Sequence, residues 1–286
     1  MPIRTRFAPS PTGRLHLGHA LAARVARDLA RSEPGGAFLL RFEDIDSPRV
    51  KGSFYREIED DLRWLGMDWD GEPLRQTARV AAYEEALDFL RGEGLVYPCF
   101  CTRREIQEEW AAMAGAPQGP AGQVYPAICQ RLSESEQADK LAAGVPHAWR
   151  LDAHKAAKIA GPLAFRDLRF GTIRVDPELL GHVVLARKDI GTSYHLAVVV
   201  DDAFQGVTHV TRGEDLLPST HVHRLLQTLL GLPEPVYLHH ALVLDESGKR
   251  LAKRNDSLSI ATLRARGLTP GEVLAKLEES ADIPGI

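Results

Sequence analysis

The stretch from Ile3 to Leu29 leaves little freedom in how this chain can fold. Ile3 to Ala8 reads as a short strand, the turn PSPTG stops it, and Leu17, Leu21, Val25 and Leu29 then recur every four residues. That spacing lays one apolar stripe along a helix. A strand, a tight loop and a helix in this order bring the helix N-terminus, with its unpaired N–H groups and positive dipole end, to the strand's carboxyl end. Such an end suits an anion, phosphate above all.

Further along, AFLLRFED is a continuous apolar run ending in acids, the pattern of a strand buried on both faces of a parallel sheet, and Phe54, Ile58, Leu62 and Leu65 mark another amphipathic helix. A second strand unit is expected at LAVVVDDA and VTHVTRGED, leading into a helix with Leu225, Leu226, Leu229 and Leu230. Strands alternating with helices predict an α/β fold with a Rossmann-like, doubly wound parallel sheet, whose ligands bind beyond the carboxyl ends of the strands. Arg6 to Ser10, Glu43 and Arg212 fall at such ends. The expected division is 1–94 and 182–240 as the two halves of a catalytic domain, 95–181 as an insertion, and 241–286 as a basic loop with a helical tail.

Composition excludes several classes. No apolar run approaches the ~20 residues of a membrane-spanning helix, and MPIRTRFAPS lacks the apolar centre of a secretory signal, so a cytoplasmic protein with no membrane partner is expected. With a net charge of -4 the chain is not a bulk-basic nucleic-acid binder, and any RNA contact needs a local patch. Arg103, Arg104, Lys249, Arg250 and Arg254 are candidates for it. The 3 cysteines are too few for a disulfide framework, and clustered thiols in a reducing compartment point to metal.

Four motifs carry chemistry. In RFAPSPTGRLHLGH, His16 and His19 stand one turn apart at the helix start, where imidazoles can donate to phosphate as charge develops; Gly18 allows a close backbone approach. GKRLAKRND offers a lysine, Lys253, whose compact charge suits a triphosphate. Arg6, Glu43, Tyr194 and Arg212 supply cationic forks and an anion, as a ligand with two carboxylates and one ammonium requires; Phe7, Ala8, Pro9 and Ser10 border them. Cys99, Cys101 and Cys129 with Tyr125 suit a closed tetrahedral Zn²⁺ site, with His147 or His154 as substitutes for Tyr125.

The first motif resembles the HIGH signature of class I aminoacyl-tRNA synthetases, and Arg250 to Arg254 resemble the KMSKS loop, with Arg250 and Ala252 departing from its commoner letters. RFAPSPTG, LRFEDID, SYHLAVVVDDA and VTHVTRGEDLL are similar to the glutamyl branch, in which these positions line the amino-acid pocket. The CFC and YPAIC pair resembles the zinc site of the glutamyl-Q tRNA(Asp) synthetases, with a longer intervening loop. The resemblance runs from Ile3 to about Asp256, and with only some thirty residues beyond it the anticodon-reading domains of a full glutamyl-tRNA synthetase are expected to be missing. It implies a monomeric ligase that uses ATP with Mg²⁺, one structural Zn²⁺ and no tRNA to convert L-glutamate to glutamyl-adenylate, through His16, Gly18, His19 and Lys253. Glutamate then passes to queuosine in the anticodon loop of tRNA(Asp). The alternatives are a minimal synthetase charging the 3′ end of tRNA(Glu) and a non-catalytic RNA-binding paralogue.

Overall fold

In the computed structural model, which describes residues 1–112, 118–119, 122–177, 179, 181–243 and 259–280, the N-terminal pattern becomes β1 (Arg4–Phe7) and α1 (Leu17–Arg31). The apolar stripe of α1 is buried, and the helix stops where Ser32 turns its hydroxyl and N–H back onto the Leu29 carbonyl, at 2.8 and 3.4 Å. A glycine is required just beyond: a Cβ on Gly36 would stand 1.8 Å from the Ala30 carbonyl oxygen. The chain then forms β2 (Ala37–Phe42), α2 (Gly52–Trp64), β3 (Leu74–Arg75), α3 (Val80–Gly92), β4 (Val96–Cys99) and α4 (Arg103–Ala112). Next come β5 (Gln118–Gly119), β6 (Gly122–Gln123), α5 (Glu134–Ala142), β7 (Ala148–Leu151), α6 (Ala153–Ala160), β8 (Ala164–Asp167), β9 (Gly171–Arg174) and β10 (Val184–Ala186). The described chain ends with α7 (Tyr194–Phe204), β11 (His209–Gly213), α8 (Leu217–Leu229), β12 (Val236–His240), α9 (Ile260–Ala265) and α10 (Pro270–Ser280).

Strands β1, β2 and β3 form one parallel ladder, and β11, β12 and β8 another, with β9 antiparallel at its edge. The ladders adjoin along β1 and β11, where the Thr208 N–H donates to the Arg4 carbonyl at 2.9 Å and the Arg4 N–H to the Thr208 hydroxyl at 2.8 Å. The chain therefore winds outward from β1 on one side and from β11 on the other. That reversal opens a crevice beyond the carboxyl ends of the two strands. A separate antiparallel sheet, β10-β7-β4, carries the cysteine segment. One apolar core gathers around α1, β2, α2 and α10, a second around α3, α7 and α8, and a small one around Tyr97, Cys99, Tyr125 and Cys129.

One expected strand is a helix. LAVVVDDA lies within α7, whose Leu196, Ala197, Val198 and Val199 are all buried. A helix enclosed on most sides is apolar nearly all round, so its sequence has the same continuous run as a buried strand. The two acids that end the run are buried as well, and both are paired. Asp201 accepts from Gln76, Arg79 and Tyr83, tying α7 to α3 and the turn before it, at 3.0, 2.7 and 2.7 Å. Asp202 takes Arg6 Nε and Nη2 at 2.9 and 3.3 Å and Arg41 Nη1 at 2.6 Å, tying α7 to β1 and β2. Consecutive helical residues point about 100° apart, which lets neighbouring carboxylates reach different elements.

Asp202→Ala leaves two buried guanidinium groups short of their shared carboxylate, and the expected loss in urea-unfolding free energy is about 3 kcal/mol or more. A loss below about 1 kcal/mol would show that this junction does not hold the sheet together.

Candidate active site and cysteine centre

The loop after β1 is pinned to the end of β2, because the Glu43 N–H donates to the Pro9 carbonyl at 3.0 Å. It delivers the chain to His16, the N-cap of α1. His16 Nδ1 accepts from the Gly18 N–H at 3.1 Å, and His19 Nδ1 accepts from the His16 N–H at 3.2 Å, a capping box made of two imidazoles. The rings lie 3.8 Å apart, centroid to centroid. With each Nδ1 accepting, the proton of each neutral ring sits on Nε2, so both present an N–H donor on the far side of the ring. Gly18 serves this cap directly, since a Cβ there would lie 3.1 Å from His16 Cε1.

A crevice of about 540 Å³ opens at this point, lined by Arg6 to Ser10, His16, Gly18, His19, Glu43, Tyr194 and Arg212. It thus brings together the described residues expected for phosphate and for the doubly charged ligand. The ends of β11 and β12, including Asp215, His240 and Val243, complete the wall and were not anticipated. Lys249, Arg250, Ala252, Lys253 and Arg254 lie outside the described residues. Their flanks reach the crevice: Val243 lines it, and Ser259 forms a β-bridge with His16.

The arginines differ in their partners. The Arg6 fork is filled by Asp202, and its Nη1 donates to the Thr211 carbonyl at 3.2 Å. Arg41, wholly buried and missed from the sequence, sits on the same carboxylate and reaches Glu43 Oε1 at 3.5 Å. Burial pushes the Glu43 carboxyl up, against the pull of Arg41 and Arg6. Arg212 is only 5% exposed, yet among the described residues no carboxylate stands within 4 Å of it. Its donors go to neutral groups: Nε to His239 Nε2 at 3.2 Å, Nη1 to His223 Nδ1 at 3.0 Å and to the Tyr194 hydroxyl at 3.3 Å, and Nη2 to the Thr220 hydroxyl.

Those neighbours are held neutral. Asp167 accepts the His239 Nδ1 proton at 2.6 Å, which turns the bare Nε2 toward Arg212. His223 Nε2 in turn meets His195 Nδ1 at 3.1 Å. Burial first, then the Arg212 charge, holds the His223 imidazole well below its ordinary range and takes His195 down to about 4. Burial also lowers His239 and raises the Tyr194 phenol. A buried cation coated by neutral acceptors at the wall of a cavity is a site for an anion. Two acids inside an apolar run and an arginine inside AFLLRF were the sequence signals for Asp202 and Arg41.

The cysteine segment converges as well. The sulfurs of Cys99, Cys101 and Cys129 lie within 4.8 Å of one another, and the Tyr125 hydroxyl stands 3.4 Å from both Cys99 and Cys101. His147 and His154 are not part of this group: His147 Nδ1 contacts the Val145 carbonyl at 3.0 Å, and His154 faces His182. Hydrogen bonding from Cys129, against burial and with help from Tyr125 and Arg150, brings the Cys99 thiol down to about 4. Burial pushes the Tyr125 phenol up. Three sulfurs and a phenol oxygen around one point fit a tetrahedral soft-metal site. Lys188 donates to the Phe100 and Cys101 carbonyls at 2.9 and 3.0 Å, fastening the segment to the turn between β10 and α7. Of the expected phosphate contacts, Arg103 and Arg104 begin α4, and Arg104 pairs with Glu108 at 3.4 Å in an exposed position.

The family described as tRNA synthetases class I (E and Q), catalytic domain, matches residues 2–278. The chain belongs to that family. It is therefore a ligase of the class I synthetase type. A glutamyl-Q tRNA(Asp) synthetase of Rhodobacter capsulatus is 50% identical over 94% of this chain and 97% of its own length. One from Nocardia farcinica is 46% identical over 98% and 85% respectively. The crystal structure of a glutamate-tRNA synthetase from Elizabethkingia anophelis superposes with a TM-score of 0.75 at 30% identity over 89% of this chain. The chain spans about half of that protein, 53%. Class I synthetases are thus the frame for the crevice at the β1 and β11 reversal, with the two imidazoles at the start of α1 on one side and Arg212 on the other.

Because His16 both caps α1 and carries an Nε2 donor, its two roles separate by substitution. His16→Ala is expected to lower unfolding free energy by about 1 kcal/mol, whereas His16→Asn, which keeps a capping acceptor, stays within about 0.5 kcal/mol of the parent. Equal stability of all three proteins would rule out the imidazole cap.

Proposed function

We propose that this protein activates L-glutamate with ATP, without tRNA, and transfers the glutamyl group to queuosine in the anticodon loop of tRNA(Asp). The observation that carries the glutamate half is Arg212. A buried guanidinium with only neutral partners gains most from a carboxylate, and its planar fork accepts two oxygens at once. Tyr194 borders the same carboxylate, and Glu43, an acid of the crevice wall beside Tyr194, receives the substrate ammonium. Arg6 acts chiefly with Asp202 in shaping the pocket, and Phe7 to Ser10 form its floor. The acceptor half is supported by the relatives named glutamyl-Q tRNA(Asp) synthetase, two of which match over 97% and 85% of their own length.

The chemistry needs two steps. A glutamate carboxylate oxygen attacks the α-phosphorus of ATP in line, and the bond to the β-phosphate oxygen breaks, giving glutamyl-adenylate and pyrophosphate. The Nε2–H groups of His16 and His19, at the positive end of α1, donate to the phosphates where negative charge grows, while Gly18 and the helix start keep the approach open. Lys253 supplies a further charge to the departing pyrophosphate. In the second step a hydroxyl of queuosine attacks the activated carbonyl and AMP leaves. Mg²⁺ bound with ATP would offset phosphate charge and would need no dedicated protein cage.

Zn²⁺ held by Cys99, Cys101, Cys129 and Tyr125 would stabilise a segment whose small core has, among the described residues, four buried side chains. The 95–181 segment then serves as the insertion between the catalytic halves 1–94 and 182–240, ahead of the 241–286 tail, its cysteine part braced by the metal and its β8–β9 hairpin joined to the sheet of β11 and β12. The enzyme works in the cytoplasm, and no helix among the described residues is long and apolar enough to cross a membrane.

Protein purified without added metal is expected to hold one zinc per chain, and Cys129→Ala to lose it and melt at a lower temperature. A metal-free parent with an unchanged melting temperature would exclude a structural metal.

Arg212→Lys keeps the charge and loses the fork, so the KM for glutamate should rise at least tenfold while the KM for ATP changes less than threefold. An unchanged glutamate KM would remove Arg212 from the pocket. The acceptor is tested by mapping the esterified nucleotide after nuclease digestion. Glutamate on queuosine of tRNA(Asp) is expected; glutamate on the 3′ end of tRNA(Glu), with none on tRNA(Asp), would make the chain a minimal glutamyl-tRNA synthetase.

A further inference from the structure

The hairpin of β8 and β9 carries charge and an aromatic ring that the catalytic crevice does not use. In its register Arg166 stands opposite Thr172 and Ala164 opposite Arg174, so the two arginines share one face, a diagonal apart. Both are exposed, while Phe165 and Ile173 on the opposite face pack with Val207, Val210 and Tyr237. At the turn, Leu168 and Phe170 are 43% and 45% exposed, the latter with the Arg169 guanidinium 4.9 Å from its ring.

This tip is held in place. Buried Asp167 accepts from the Arg169 and Phe170 N–H groups at 2.8 and 2.9 Å with one oxygen and from His239 with the other. Arg169 bridges Glu214 at 2.7 Å and the His239 carbonyl at 3.4 Å. The next residue after each of these, Asp215 and His240, lines the crevice. Because β8 runs parallel to β12, the turn projects on the same side as the carboxyl ends that form the active site.

We propose that the tip and exposed face of this hairpin hold the single-stranded loop of the tRNA substrate. Phe170 stacks on an unpaired base, and Arg166 and Arg174 contact the phosphates beside it. Single exposed aromatics are ordinary on a protein surface. What distinguishes this one is a braced backbone, a local concentration of arginine in a chain of net charge -4, and continuity with the crevice. Stacking on an aromatic face with basic side chains along the backbone is how single-stranded RNA is commonly gripped. An acidic peptide would match the charge but has no use for a ring at the rim of a glutamate-activating crevice. The proposal rests on the reading that the chain transfers glutamate to RNA.

The test uses the full chain with Arg166→Glu/Arg174→Glu, Phe170→Ala and Phe170→Trp. Each variant is assayed for glutamate-dependent pyrophosphate exchange without tRNA and for transfer to queuosine-bearing tRNA(Asp) and to tRNA(Glu). Exchange should stay within twofold of the parent in all of them. The KM for tRNA should rise at least tenfold in the charge-reversed variant and about fivefold in Phe170→Ala, with Phe170→Trp near the parent. In Arg166→Ala/Arg174→Ala, the slope of log affinity against log salt for the tRNA should fall by about two. Variants with parental tRNA KM and parental salt slope would overturn the proposal, and so would binding of a polyglutamate peptide that is lost while tRNA transfer is untouched. If tRNA(Glu) proves to be the sole acceptor and the variants lose it, the hairpin surface stands and the queuosine acceptor falls.

Discussion

A buried guanidinium needs an anion, and the supply of anions inside this protein decides much of its design. Among the described residues three arginines are buried: Arg6, Arg41 and Arg212. Asp202 answers two of them, and Glu43 stands beside Arg41. Arg212 has histidine, tyrosine and threonine instead. Desolvating a cation among neutral groups is costly, so the surrounding elements must be held firmly enough to keep it there. β8 supplies Asp167 to fix the tautomer of His239, α8 supplies Thr220 and His223, and α7 supplies both Tyr194 and the Asp202 clamp. Around Arg212 the charge is in this sense left unbalanced among the described residues, and the proposed carboxylate ligand would answer it.

That imbalance explains which parts of the fold were legible in the sequence. The entry unit from β1 to α1 was readable because its period and turn residues are local, and AFLLRF was readable as a strand because it is short, follows a Gly-Gly turn and ends in acids. LAVVVDDA was read as a strand and is a helix, since an enclosed helix erases the period that would have identified it. The physical clue was its ending: two acids closing an apolar run have to find buried cations, and neighbouring residues of a helix can serve separate partners.

Recognition of the crevice residues came from motif context, which places Arg6 and Arg212 together without ranking them. Their difference lies in contacts to Asp202, His223 and His239, far away in sequence. The histidines of α8 and β12 carried no motif and were passed over, although a neutral imidazole is among the few side chains that can accept from arginine without cancelling its charge. Likewise the thiols were found by spacing, while the fold alone shows that Tyr125, the expected fourth group, stands beside Cys99 and Cys101. The basic hairpin escaped notice because Arg166 and Arg174 acquire a common face only through strand pairing.

If Arg212 is the cation that its neutral surroundings make it, the amino acid that enters the crevice must bring a carboxylate on a side chain of the right length. Pyrophosphate exchange in the absence of tRNA, with glutamate, glutamine and aspartate compared at equal concentration, measures this directly. Glutamate should support exchange, with glutamine and aspartate lower by at least a hundredfold, because an amide leaves the buried charge unanswered and a shorter acid fails to reach it. Exchange supported equally by glutamine would contradict the account, since Arg212 would then not be the group that reads the substrate.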